Sequence, residues 1–330
     1  MSKRQLTQQQ RQRIAQQQQK ALANADGDIV NSDSCNGRVV SHFGQQLQVE
    51  SLVPESAGEL LLCYQRANLP ALVTGDLVFW EATESGQGII VAAAQRSNAF
   101  TRPDVNGRAK LVAANVDRVL VVFAVYPQAF LNLIDRYLVA IESLDLSPTL
   151  VLNKIDLLDD DNRDYIDNIV SIYTDLGYPV FTVCAGSGTG IAALESALNG
   201  QTTVLVGQSG VGKSSLINCL GEADLAAVGD LSAARQKGTH TTTTARLFHL
   251  RQCDVIDSPG IRELRVQNLH ADQVTQGFIE LKHLADECRF RNCSHQQEPG
   301  CALRAAAEAG TINPQRWESY QQMLTSLESA

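Results

Sequence analysis

The chain has 330 residues, 44% of them hydrophobic, and a formal net charge of −9, which excludes a single small module and predicts two or three domains with cores of their own. No apolar run approaches the roughly 20 residues needed to cross a bilayer, so a soluble protein with no membrane association is expected. Of the eight cysteines, Cys35, Cys63, Cys184, Cys219 and Cys253 are scattered and the rest gather near the C-terminus; this is not a secreted disulfide framework, and a reducing cytoplasm is expected.

Residues 1–34 open on a Gln-rich stretch with Lys3, Arg4, Arg11, Arg13 and Lys20 and neither acid nor apolar leader before Asp26. This predicts a disordered basic arm, either a solvated tail or an RNA contact. Residues 35–98 hold five strand-like runs, 37–41, 47–52, 60–65, 76–80 and 88–93, separated by turn residues. They predict a small barrel with an OB-fold as leading topology, although an SH3-like barrel or an open sheet gives the same pattern. A polar stretch over 95–110, with Pro103 and Gly107, reads as a linker. Beyond it, strands at 118–124, 149–152, 180–183, 203–206 and 254–256 alternate with helices at 131–144, 165–176, 191–198 and 214–220. That alternation predicts a parallel sheet covered on both faces.

Gly207-Gln208-Ser209-Gly210-Val211-Gly212-Lys213-Ser214, followed by Ser215, stands between a predicted strand and a predicted helix, the setting a P-loop requires. Its glycines let backbone N–H groups turn toward phosphates at a helix N-terminus, Lys213 reaches the β- and γ-phosphates, and Ser214 ligates Mg²⁺. Asn153-Lys154-Ile155-Asp156 directly follows another strand, at the carboxyl edge where such sheets bind ligands. Asp156 can accept from N1–H and the exocyclic amine of guanine, while adenine would leave it unpaired. Asn153 braces the loop and the Lys154 stem lies along the base. Asp257-Ser258-Pro259-Gly260 ends a third strand; there Asp257 can hold Mg²⁺ through water and the Gly260 N–H can meet the γ-phosphate. Between these motifs, 238–244 is Thr-rich and suits a switch segment that completes the Mg²⁺ shell; spacing leaves open which threonine of 241–244 does so. The base-reading motif precedes the P-loop, so a GTPase domain here is circularly permuted.

Cys288-x4-Cys293-x-His295-x5-Cys301 is a full tetrahedral donor set for one structural Zn²⁺, with no position left open for catalysis.

These features over about residues 35–320 resemble the ribosome small-subunit-dependent GTPase family known as RsgA or YjeQ. The resemblance implies an N-terminal OB barrel (35–98), a circularly permuted α/β P-loop GTPase domain (99–265) and a mainly helical zinc-binding C-terminal domain (266–330). It also implies a role in late maturation of the 30S subunit, with 16S rRNA, GTP and GDP as partners; a monomer is expected. Where the family commonly has a Ser-Ala pair in its guanine loop, this chain has Cys184-Ala185-Gly186, which leaves Ala185 a backbone contact to guanine O6. Ile261 follows Gly260 where Ras-like enzymes orient water with Gln, so slow intrinsic and subunit-stimulated hydrolysis is expected, with His240 as the candidate polar group. A rival reading is a GTP-dependent binding module with negligible hydrolysis whose barrel meets a protein.

Overall fold

Leu47 and Val49 alternate with Gln46 and Gln48, so one face of that strand seeks a core and the other faces water. The computed structural model builds on this pattern and describes residues 35–83, 87–103, 109–221, 245–257 and 270–328. Strands β1 (Gly37–Phe43), β2 (Gln46–Ser51), β3 (Leu60–Gln65), β4 (Leu77–Ala82) and β5 (Gly88–Ala93) pair in the order β1-β2-β3-β5-β4, and β4 pairs back to β1. β3 and β5 are parallel and the other pairs antiparallel. This closed five-stranded order is that of an OB-fold. Val39, Leu47, Val49, Cys63, Leu72, Val78 and Ile90 fill its interior.

The chain divides between Ser97 and Asn98 into two units. The second begins with a hairpin, β6 (Ala99–Pro103) and β7 (Ala109–Ala114), in the stretch expected to be a linker. Its main sheet has the order β10-β9-β8-β11-β13-β12, from β8 (Arg118–Ala124), β9 (Pro148–Asn153), β10 (Val180–Thr182), β11 (Thr202–Val206), β12 (Arg246–His249) and β13 (Asp254–Asp257). All neighbours are parallel except β12, which runs antiparallel to β13. β8 and β9 are nearly continuous buried apolar runs, as strands covered on both faces must be. The helices are α1 (Leu131–Glu142), α2 (Arg163–Asp175), α3 (Ile191–Leu198) and α4 (Lys213–Leu220). Leu194 and Leu198 of α3 and Leu216, Ile217 and Leu220 of α4 share one core with Leu120, Leu205 and Val255.

Four helices complete the described chain: α5 (Ala271–Gly277), α6 (Ile279–Ala285), α7 (Ala302–Glu308) and α8 (Pro314–Glu328). Val274, Phe278, Leu281, Leu303, Tyr320 and Met323 pack there with Val139 of α1. At this junction Arg316 of α8 is 1% exposed. Its guanidinium pairs with Asp135 of α1, forks onto Glu280 of α6 at 2.7 and 2.9 Å, and lies 4.3 Å from the Phe278 ring centroid. Tyr173 of α2 donates its hydroxyl to Asp135 at 2.5 Å. Burial works against the Arg316 charge, but Asp135 and Glu280 outweigh it and hold the guanidinium above its ordinary range. Among the described residues, no helix is long and apolar enough to cross a membrane.

Candidate nucleotide site and metal cluster

The parallel strands β8, β9, β10, β11 and β13 bring their carboxyl ends to one edge of the sheet. Every end but that of β8 carries a loop singled out by the sequence. β11 passes into Gly207–Gly212 and then α4, whose first residues are Lys213, Ser214 and Ser215. Gly207 has φ 139°, and a Cβ there would stand 2.1 Å from the carbonyl oxygen of Val122; only glycine lets the loop pass this close to β8. At Gly212, φ is 94° and a Cβ would meet the Asn153 amide at 2.3 Å. The buried Lys213 ammonium donates to the Gly207 and Gln208 carbonyls at 2.6 and 2.7 Å, which holds it across the mouth of the loop. Ser209 and Gly210 lie exposed at the loop's tip while Val211 is buried beneath it.

The Asn153-Lys154-Ile155-Asp156 loop is fastened to the P-loop. Asn153, 2% exposed, donates Nδ2 to Val211 O at 2.9 Å and accepts the Ala185 N–H on Oδ1 at 3.1 Å. Lys154, at φ 62°, donates Nζ to Gly210 O at 2.7 Å and Tyr126 O at 2.8 Å. Four loops from four strands are thus tied by two side chains, which sets these loops in one frame. Asp156 stays exposed, and the Cys184 thiol donates to its Oδ1 at 3.0 Å. Cys184 is itself immobilised, 5% exposed, with its N–H bonded to Thr189 O and its carbonyl accepting from Gly188. The expected O6 donor, Ala185 N–H, is shared with Asn153. The Tyr126 carbonyl and the Cys184 thiol were not among the sequence-derived site residues: a backbone oxygen carries no sequence signal, and Cys184 departs from the familiar Ser.

Asp257 closes β13 beside β11 and is 9% exposed. Its carboxylate, at the end of β13, and the Ser214 hydroxyl, next to the P-loop, are oxygen donors of the hard kind that could hold Mg²⁺. His240, the threonines of 241–244, Gly260 and Ile261 lie outside the described residues.

The second site sits between α6 and α7. The donor atoms of Cys288, Cys293, His295 and Cys301 lie within 4.8 Å of one another. Cys288 Sγ and Cys301 Sγ each stand 3.6 Å from His295 Nδ1. A zinc ion with bonds of about 2.3 Å to sulfur and about 2.0–2.1 Å to nitrogen sets tetrahedral S···N edges of about 3.6 Å, so the residues fit that ion. The Ala302 N–H, at the start of α7, points to Cys288 Sγ at 3.4 Å, support that orients a metal-bound sulfur. Burial, with the neighbouring thiols adding, pushes the Cys293 thiol up to about 12, so a bound cation must displace its proton. Removing the ion with a chelator, or substituting Cys288→Ser, is expected to unfold the 288–301 segment and lower the melting temperature; retention of zinc stoichiometry by the variant would contradict the four-ligand site.

A sheet whose P-loop strand follows its base-reading strand in sequence, with both loops at one edge, defines a circularly permuted P-loop GTPase. The RsgA GTPase family model matches residues 93–267. A Pseudomonas aeruginosa protein described as small ribosomal subunit biogenesis GTPase RsgA is 49% identical over 316 residues, covering 96% of this chain and 92% of its own. An Azotobacter vinelandii protein of the same description is 47% identical over 339 residues, covering 99% and 98%. Among solved structures, YjeQ from Thermotoga maritima matches with a TM-score of 0.73 at 32% identity, covering 89% of this chain and 98% of that one. YloQ, a circularly permuted GTPase, gives 0.71 at 25% identity, covering 89% and 94%. The chain belongs to the RsgA GTPase family, enzymes that hydrolyse GTP.

Proposed function

We propose that this protein binds the small (30S) ribosomal subunit through its 16S rRNA and acts late in its maturation, hydrolysing GTP to GDP with stimulation by the subunit. The observation that carries the guanine-nucleotide part is the double tie from Asn153 and Lys154 to the P-loop carbonyls of Val211 and Gly210; the ribosomal part rests on the relatives' description. We assign the barrel to 35–98, the permuted GTPase to 99–265, a zinc-bearing region to 266–330 and a basic arm to 1–34.

In this reading Asp156 accepts the two guanine donors, Asn153 and Lys154 hold its loop, and Ala185 offers its N–H to O6. Backbone N–H groups from Gln208 to Ser215 surround the β-phosphate, and Lys213 turns from its loop carbonyls to the β- and γ-oxygens. Ser214, and Asp257 through water, would hold Mg²⁺, which would supply positive charge against the phosphates. Zn²⁺ on Cys288, Cys293, His295 and Cys301 is structural. Because Ile261 cannot orient water, a polar group must be supplied, and His240 is assigned that role.

The test is GTP hydrolysis by the purified protein with and without small ribosomal subunits, ATP competing, and with His240→Ala in parallel. Large stimulation by subunits, GTP preferred, and its loss in His240→Ala are expected. Equal turnover without subunits would overturn the partner, equal use of ATP the base reader, and full stimulation in His240→Ala the role of that histidine alone.

A further inference from the structure

Six of the described arginines of this acidic protein pair with a carboxylate: Arg38 with Glu50, Arg66 with Glu81, Arg96 with Asp76, Arg251 with Glu195, Arg304 with Glu308, and Arg316 with Asp135 and Glu280. Arg118 and Arg136 donate to neutral side chains, and Arg246 lies over the Phe248 ring. Arg289 and Arg291 are placed differently, on either side of an exposed aromatic residue in the sequence. Both are exposed, and neither makes an ion pair among the described residues. They flank Phe290, which is 41% exposed, and the Arg289 guanidinium lies 5.5 Å from the centroid of its ring.

Backbone hydrogen bonds add to the metal cluster in holding this group in place. Cys293 N–H closes a turn on Phe290 O at 3.2 Å, and Arg289 N–H bonds Gly300 O at 3.1 Å. The acid nearest in the loop is directed inward: Glu298 accepts the Ser294 N–H at 2.8 Å and the Gln297 N–H at 3.2 Å. Asp286 and Glu287 precede the turn at the end of α6, while the turn itself, 288–293, contains two guanidinium groups and no carboxylate.

We infer that the Cys288–Cys293 turn is an RNA-docking knuckle in which Phe290 stacks on an unpaired base and Arg289 and Arg291 meet the adjoining phosphates. It rests on the reading of the small subunit as partner and names a contact within it. An exposed ring with one guanidinium near it and a second on the next residue matches the aromatic platform and charged rim by which single-stranded RNA is gripped. A protein partner fits less well. Stable protein interfaces bury about 800 Å² per side around an apolar centre, and the exposed residues that follow Phe290 along the loop, Asn292, Ser294 and Gln297, are polar.

The experiment compares full-length wild type, Phe290→Leu, Phe290→Tyr and Arg291→Gln for binding to purified small ribosomal subunits and to a short labelled single-stranded RNA, over a salt series. Phe290→Leu is expected to weaken both by about tenfold and Phe290→Tyr to restore them. Arg291→Gln should lower the slope of log affinity against log salt by about one. Zinc content and subunit-free GTP hydrolysis should be unchanged, which separates docking from folding. Wild-type affinity in Phe290→Leu and Arg291→Gln overturns the inference. So does weakened subunit binding with unaltered salt slope and unaltered binding to free RNA, the result a protein partner would give. Failure of the wild-type chain to bind subunits strikes instead at the proposed function.

Discussion

Arg316→Met should lower the free energy of unfolding by about 3–5 kcal/mol, the loss seen when one member of a buried ion pair is removed, measured by urea unfolding followed by far-UV circular dichroism. The carboxylate left behind, Asp135, is 0% exposed, and burial already raises its pKa against the opposing pull of Arg316. The Tyr173 hydroxyl remains as a partner, but no cation does. Glu280 suffers less, because 16% of its side chain reaches solvent. The companion variant is Arg316→Met with Asp135→Leu, which removes the stranded charge. It should recover part of the loss, since well-packed apolar replacements of a buried pair are often neutral. Strict additivity of the two single changes would show that the pair is not coupled.

That clamp bears on how the protein moves. Permutation carries the chain from the Asp257 loop into the zinc-bearing region, so nucleotide state is expected to be felt there. α8 is bound to α1 by Arg316 and by Asn132, which donates to Ser319 Oγ at 3.2 Å. The zinc segment and α1 therefore share one packed core, so a shift of the segment would carry α1 with it.

Arg316 also shows where sequence reading stops. In Pro314–Glu328, an arginine amid Gln, Glu and Ser looks like a solvated face, and its partner Asp135 lies 181 residues away. Nothing local marks either residue as buried. By contrast, strands β1 to β5 show as short runs set off by turn residues, β2 with visible alternation, and β8 reads as a buried run because all but its first residue are apolar. The β6–β7 hairpin was hidden for a physical reason: a two-stranded ribbon need not bury a whole face, and Pro103 with Thr101 and Arg102 masks its alternation. At the nucleotide site, Gly207 to Ser214 and Asn153 to Asp156 were legible because phosphate and guanine chemistry restricts the residues allowed. The ties among these loops, from Asn153, Lys154 and Cys184, became visible only when four strand ends met.

Asp156→Asn should reduce affinity for GTP by about 10²–10⁴-fold, the equivalent of two hydrogen bonds to a charged acceptor at about 1.5–3 kcal/mol each. An amide cannot accept from both N1–H and the 2-amine, and its own NH₂ faces the amine as donor against donor. Xanthine carries an oxygen at that carbon, so the same variant should gain affinity for xanthosine triphosphate. The switch depends on the carboxylate, or the amide that replaces it, being held at the right angle. Here the Cys184 thiol does the holding, through its 3.0 Å bond to Oδ1. Thiols are weak donors, so Cys184→Ala should weaken GDP binding by only a few-fold, about 1 kcal/mol or less, and Cys184→Ser should match or exceed wild type. The loss should be smaller for inosine diphosphate, which lacks the 2-amine and engages Asp156 once. Competition titrations with GDP, inosine diphosphate and xanthosine nucleotides read all three expectations together. If Cys184→Ala weakened every nucleotide equally, the thiol would be acting on the fold of the loop and not on the angle of Asp156; if Asp156→Asn left the base preference unchanged, the guanine reader would lie elsewhere.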